Sequence, residues 1–291
     1  MICFVTAFPA EAKPMIKRYG FKAFQSNPFP IYESDVGFLV ISGMGKKSAA
    51  KAVSHLANLC PTNSIWVNVG IGGHKDSEIG NAFLAHKIVD LKTLKNWYPQ
   101  ILFSPSCKTT TVFTVDQCET QYAEDAIYDM EAAGFYEEAV HFSTAELIHS
   151  FKVISDNATL PAVKVSPKLA ETLIEKNINT LNQIVNELSL IRKELPISEP
   201  GLLKWFLGRW HFTVTESHQL RRLLQRLHTL QPNKNWFDIL ITSLRATEGS
   251  EAISKLGIAS SALRPPHNDT TRAKDIIRFL KDQIHALPVE L

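Results

Sequence analysis

Residues 126–156 read A-I-Y-D-M-E-A-A-G-F-Y-E-E-A-V-H-F-S-T-A-E-L-I-H-S-F-K-V-I-S-D, and this stretch decides the fold. A strand ends in Met130-Glu131, a helix takes roughly the next dozen residues, and an apolar strand from Leu147 to Ile154 ends in Ser155-Asp156. Strand, helix and strand in that order form the repeating unit of an α/β sheet. Two carboxylates, Glu131 and Asp156, therefore stand at the C-terminal ends of two strands. In an open α/β sheet that edge is where ligands bind.

Upstream, Ile2 to Ala7 reads as a continuous apolar strand and Pro9 to Arg18 as a helix with proline near its start, where a missing N–H costs little. Glu11 lies in that helix's first turn, a position the helix dipole favours for a carboxylate. Gly37 to Ser42 is the next strand. It runs through Gly43-Met44-Gly45 into a helix from about Lys46 to Leu59. Ser64 to Val69 is another buried strand, followed by Gly70-Ile71-Gly72-Gly73. Two glycine-rich strand ends predict a pocket built partly from backbone amides. Ala82 to Val89 and Thr109 to Val115 are further strands, and Phe113 within the second is either core or a flat surface for stacking a planar ligand.

Downstream, Ser166-Pro167 supplies an N-cap and a first-turn proline. A single amphipathic helix is expected from there to about Leu195, with Leu169, Leu173, Leu181, Ile184, Leu188 and Ile191 on one stripe. Pro196 stops it, so an α/β domain spans 1–196. Residues 197–291 read as a small all-α domain. Its helices are expected at Leu202 to Leu207, Glu216 to Leu230, Asn235 to Ala246, Ser250 to Leu256 and Thr270 to Ala286.

With 291 residues and 45% hydrophobic content the chain can bury one large core and carry a second, smaller unit. No apolar run is long enough to span a bilayer, and the chain opens directly on a strand with no leader pattern, so a cytoplasmic protein is expected. The four cysteines are scattered without CxxC spacing, which points to neither a metal site nor a disulfide framework. The net charge of +2 is unevenly spread: residues 197–291 carry +4 and residues 1–196 carry −2. The basic helix faces near Arg221 and Arg278 read as solvated surface in preference to a nucleic-acid or protein interface. Arg18 is the only arginine before Arg192, so the α/β domain is poor in the residue best suited to gripping phosphate.

Taken in order, S-G-M-G-K-K-S-A-A, N-V-G-I-G-G, Y-D-M-E-A and V-I-S-D resemble the purine nucleoside phosphorylase superfamily, and within it the 5′-methylthioadenosine/S-adenosylhomocysteine nucleosidases. The resemblance covers roughly residues 1–195 and does not extend to the helical segment. It implies a phosphorylase-like three-layer fold, a central mixed sheet flanked by helices. It also implies a homo-oligomer, a nucleoside substrate, water or phosphate as co-substrate, and no cofactor or metal.

Enzymes of this kind cleave an N-glycosidic bond through a transition state like an oxocarbenium ion. The resemblance assigns Asp156 to protonate the leaving purine, beside Ser155. Glu131 would hold the ribose 2′- and 3′-hydroxyls while Met130 packs on the sugar, and Phe113 would stack on the base. Gly72 and Ile71 fall on the substrate-lining loop. Glu11 falls where the nucleosidases carry the glutamate that takes a proton from water. Gly45, Asn68 and Lys152 are the candidates for a water or anion site. Glu11 and Asn68 stand where phosphorylases place arginines, which favours hydrolysis. The chain departs from the pattern at Ile71, where most members have a serine, at Lys152 in place of an arginine, and at Asn81 in place of an aspartate. Two other readings stay open: a phosphorylase binding phosphate through Lys46, Lys47 or Lys152, and a nucleoside-binding or scaffold protein that has lost catalysis.

Overall fold

β1 (Ile2–Thr6) is buried along its whole length between two parallel neighbours, β4 (Gly37–Ile41) and β5 (Ile65–His74). A strand covered on both faces has no solvent side, which is why its sequence is apolar without alternation. Its side chains nevertheless point to opposite faces in turn. Cys3 and Val5 join a core formed with α2 (Lys46–Ala57) and α3 (Ala132–Ala139). Ile2 and Phe4 join another formed with α1 (Pro9–Tyr19), α4 (Pro167–Lys176) and α5 (Ile178–Glu194). The result is three layers, helices on both faces of one mixed sheet.

The computed structural model describes residues 1–61, 63–119, 121–195, 203, 206–208, 210–230 and 273–286. Its sheet runs β2 (Lys22–Gln25), β3 (Ile31–Ser34), β4, β1, β5, β9 (Ile127–Asp129), β8 (Lys108–Thr114), β6 (Ala82–Asp90) and β10 (Ile148–Asp156), with β7 (Asn96–Trp97) on β6. β10 pairs antiparallel with β6 and parallel with β5, so β5, β9, β8, β6 and β10 close into a ring. Closure leaves those strands without a free edge.

Several elements differ from the sequence reading, each for a physical reason. β5 does not end at Val69 but continues through the glycines to His74, because β10 pairs with it along that length. β9 ends at Asp129, one residue before Met130, and α3 spans eight residues where a dozen were expected. The expected single helix after Ser166 is two, broken at Asn177, whose side chain donates to the carbonyls of Leu173 and Gly80, each at 2.9 Å. Ser166 is the N-cap, accepting from the Leu169 amide at 3.1 Å. β2 and β3 were not anticipated; β2 is largely exposed and carries no apolar pattern to betray it.

The chain divides into two compact units, Met1–Pro196 and Ile197–Leu291. In the second, α6 (Val214–Leu230) packs against α7 (Ala273–Ala286), burying Leu220 and Leu224 from one and Ala273, Ile276, Ile277 and Leu280 from the other. Thr213 and Glu216 form a capping box: the Glu216 carboxylate accepts the Thr213 amide at 2.9 Å and the Thr213 hydroxyl accepts the Glu216 amide at 3.3 Å. Residues 203, 206 and 207 are helical as expected, while the helices expected at Asn235 to Ala246 and Ser250 to Leu256 lie outside the described residues. Among the described residues no helix is long and apolar enough to cross a membrane.

Candidate active site

The site begins with a break in strand pairing. On the edge of β5 away from β10, β1 pairs with Ile65 to Asn68 and β9 pairs with Gly73 and His74, leaving Val69 to Gly72 without a strand neighbour there. The first turn of α1 fills that place with Glu11. Its Oε1 accepts the Ile71 amide at 3.0 Å, and its Oε2 accepts the amides of Ala7 and Phe8, both at 2.9 Å. A carboxylate offers about four lone-pair positions, so about one remains for a water. Burial pushes the Glu11 carboxyl above its ordinary range, against the pull of Lys152 and the three amides. Gly70 makes room for it, since a Cβ there would stand 2.9 Å from Oε1.

Glu131 follows β9 at the entrance to α3. Its Oε1 accepts the amide of Gly45 at 2.8 Å across the turn between β4 and α2. Burial first, then neighbouring Asp129, pushes its carboxyl up to about 7, against Lys152 and the Gly45 amide. Asp129 itself caps α3: one oxygen accepts the Ala132 amide at 2.8 Å and the other accepts the Thr114 hydroxyl at 2.7 Å. Lys152, in the middle of β10, meets Asp129 at 2.7 Å with both side chains buried. Burial works against the ammonium, but Asp129, Glu131 and Glu11 together outweigh it and raise the Lys152 pKa. One buried cation thus serves three buried carboxylates.

Asp156 ends β10. Its Oδ1 accepts the Ser155 hydroxyl and its Oδ2 accepts the phenol of Tyr122. Glu11, Glu131 and Asp156 all line one cavity of about 280 Å³, together with Ile71, Gly72, Met130 and Ser155. Four other expected residues do not line it. Phe113 stands beside Tyr128 on the neighbouring strand, edge-on with ring centroids 5.5 Å apart, while Tyr128, Tyr122 and Phe8 are the aromatic residues that line the space. Asn68 donates to the Val5 carbonyl at 3.2 Å and accepts from Ser150 at 3.0 Å, so it ties three strands together. Gly45 and Lys152 act through the carboxylates they contact.

A larger hollow of about 570 Å³ shares Met44 with the first and holds Lys46, Lys92, Asp90 and Asp116. Lys46 is bound at 2.7 Å to both aspartates, and Asp116 also meets Lys92 at 2.8 Å. Opposite charges there cancel one another, and the cavity with unequal carboxylates is the one suited to chemistry. Among the described residues no cluster of three or more His, Cys, Asp or Glu side chains is placed to hold a metal.

Sequence reasoning missed Asp129, Tyr122 and Tyr128. Asp129 was signalled by a carboxylate just before a helix and by a lone lysine inside the apolar run Phe151-Lys152-Val153-Ile154. Tyr122 carried no signal, because it sits in the irregular segment between β8 and β9.

The closed mixed sheet in three layers, with a carboxylate-lined cavity at its strand ends, is a fold shared with solved nucleosidase structures. Three such structures are similar to this chain. One is a 5′-methylthioadenosine nucleosidase of Arabidopsis thaliana in apo form, with a TM-score of 0.54 and 18% identity over 64% of this chain and 95% of that one. Another is a mutant methylthioadenosine nucleosidase of Helicobacter pylori with 5′-methylthioadenosine in its active site, at 0.51 and 16% over 64% and 98%. A third is the futalosine hydrolase of Helicobacter pylori, at 0.50 and 17% over 64% and 97%. These similarities establish a shared fold. No protein-family model matches the sequence, and no curated protein is significantly similar to it.

Proposed function

We propose that this chain is a purine nucleoside hydrolase that cleaves the N-glycosidic bond of an adenosine-like nucleoside, of the methylthioadenosine or S-adenosylhomocysteine type, with water as co-substrate. The observation that carries this reading is the meeting of Glu11, Glu131 and Asp156 on one cavity wall. Positive charge grows on the ribose as the bond to the base breaks, and the base gathers electrons. Asp156, at the end held by Ser155 and Tyr122, delivers or shares the proton that the base nitrogen needs. Glu131, with one oxygen fixed by Gly45, turns the other toward the ribose hydroxyls, and Met130 lines the sugar's side. Glu11 keeps its remaining lone pair for a water and draws a proton from it as it attacks.

The departure at Ile71 fits this reading, because what position 71 gives to Glu11 is its amide, which any residue but proline supplies. Phosphorolysis has less support. No arginine lines the cavity among the described residues, and Lys46 and Lys152 are already paired with aspartates. Incubating the purified protein with methylthioadenosine, adenosine and inosine, with and without phosphate, tests the proposal. Free base without phosphate supports it; base released only with phosphate makes the chain a phosphorylase; no base under either condition overturns it.

The proposed enzyme is a cytoplasmic homo-oligomer. Phe8 and Met44 border the cavity while remaining 42% and 57% exposed, an apolar rim suited to cover by a second copy. Light scattering should then give a mass of at least twice 32.6 kDa, and a monomer mass would overturn the oligomer.

A further inference from the structure

Tyr122 stands apart from every residue the sequence singles out. It is buried at 3% exposure in the irregular segment between β8 and β9, and its backbone has φ 43°, the left-handed region that a bulky side chain enters only at a cost. Such strain persists only where the surroundings fix it. Here the ring lies against β5 at Gly73, where a Cβ would come within 2.5 Å of the ring and 2.7 Å of its hydroxyl, and would also collide with Asp156. Only glycine admits the tyrosine and the aspartate to the same spot. Tyr128 supports the ring from another side, with centroids 5.6 Å apart, and its own hydroxyl accepts the Glu124 amide at 3.0 Å, tying down the same segment.

The contacts of Asp156 give this arrangement a purpose. A carboxyl group on a short side chain can rotate about its last bond, and one hydrogen bond leaves that rotation partly free. Donors on both oxygens, Ser155 on one and Tyr122 on the other, fix the plane. About two of the four lone-pair positions then remain. Burial, and then the bond to Asp156, push the Tyr122 phenol well above its ordinary range, so it keeps its proton and remains a donor.

We propose that Tyr122 is a positioning residue for Asp156, holding the carboxyl plane at the angle at which it meets the leaving base. This rests on the nucleoside-hydrolase reading for its reaction, but its structural core, the dependence of base binding on a Tyr122–Asp156 bond, stands separately. It follows the general pattern in which an acid or base is oriented by a further group behind it.

The test uses Tyr122→Phe, which deletes the hydroxyl and keeps the ring, on the full chain, with melting temperature as the check on folding. Adenine binding by calorimetry needs no turnover. It should weaken by roughly tenfold or less in Y122F, the cost of ordering on binding a carboxyl group that is no longer held beforehand, and Y122F should weaken it no further when Asp156→Asn is already present. With methylthioadenosine as substrate, kcat should fall more than KM changes, while a merely structural residue would lower the melting temperature and the active fraction together. Unchanged or tighter adenine binding in Y122F overturns the inference, as does an equal loss in the D156N background. If the parent binds adenine with the expected dependence on Tyr122 but releases no base from any nucleoside, the hydrolase reading fails and the positioning role stands.

Discussion

At the scale of single residues, the three carboxylates have unequal surroundings and so should fail differently. Glu11 is held by three amides and Asp156 by two hydroxyls, so Asp156→Asn keeps the shape of its site because a hydroxyl can turn to accept, whereas Glu11→Gln sets a carboxamide N–H against a backbone N–H. Each should lower kcat by about 10²- to 10⁴-fold, measured as free base released, with little change in melting temperature for Asp156→Asn and a lower one for Glu11→Gln. Glu131 makes a prediction about pH. Its folded pKa of about 7 lies above the ordinary 4.5, so the folded chain keeps a proton that the unfolded chain gives up between those values. The stability from this group is present below about pH 4.5 and is lost as pH rises toward about 7, by on the order of 3 kcal/mol. Urea midpoints at about pH 5 and about pH 8 should therefore differ less in Glu131→Gln than in the parent.

At the scale of elements, the site depends on β10 arriving beside β5 with its lysine inside. Removing one member of a buried ion pair leaves the other charge without compensation. Lys152→Met should thus destabilise the fold by about 3–5 kcal/mol, read from urea unfolding, because Asp129 would stay buried at the start of α3. Most of these elements were legible in the sequence. β1, β4 and most of β10 are apolar runs, β6 is largely apolar, β8 is rich in β-branched residues, and Ser166-Pro167 announces α4. The elements that escaped have equally physical reasons. The course of β5 through its glycines is set by pairing with β10, which is distant in sequence, and the break at Asn177 is set by a hydrogen bond to Gly80. Phe113 was a sound choice by type and strand position, but Tyr128, its register neighbour on β9, lines the cavity instead.

At the scale of the molecule, both core clusters draw their buried residues from Ile2 to Leu188, and the partly buried ones packed against them end at Leu195. A protein of residues 1–196 alone should therefore unfold cooperatively and retain nucleoside cleavage, checked by urea unfolding and the free-base assay. A chain that aggregates or loses activity when cut there would show that 197–291 completes the enzyme. The sequence by itself determined most strands and helices of residues 1–195, because periodicity and caps are local, and the resemblance carried by its short motifs pointed to the layers and to the three carboxylates. Only the tertiary structure decided that Asp129 and Lys152 form the buried pair between those carboxylates and that Tyr122 grips Asp156. Those contacts join residues 23 and 34 positions apart through a closed sheet, and no local pattern records which side chains a closing ring brings together.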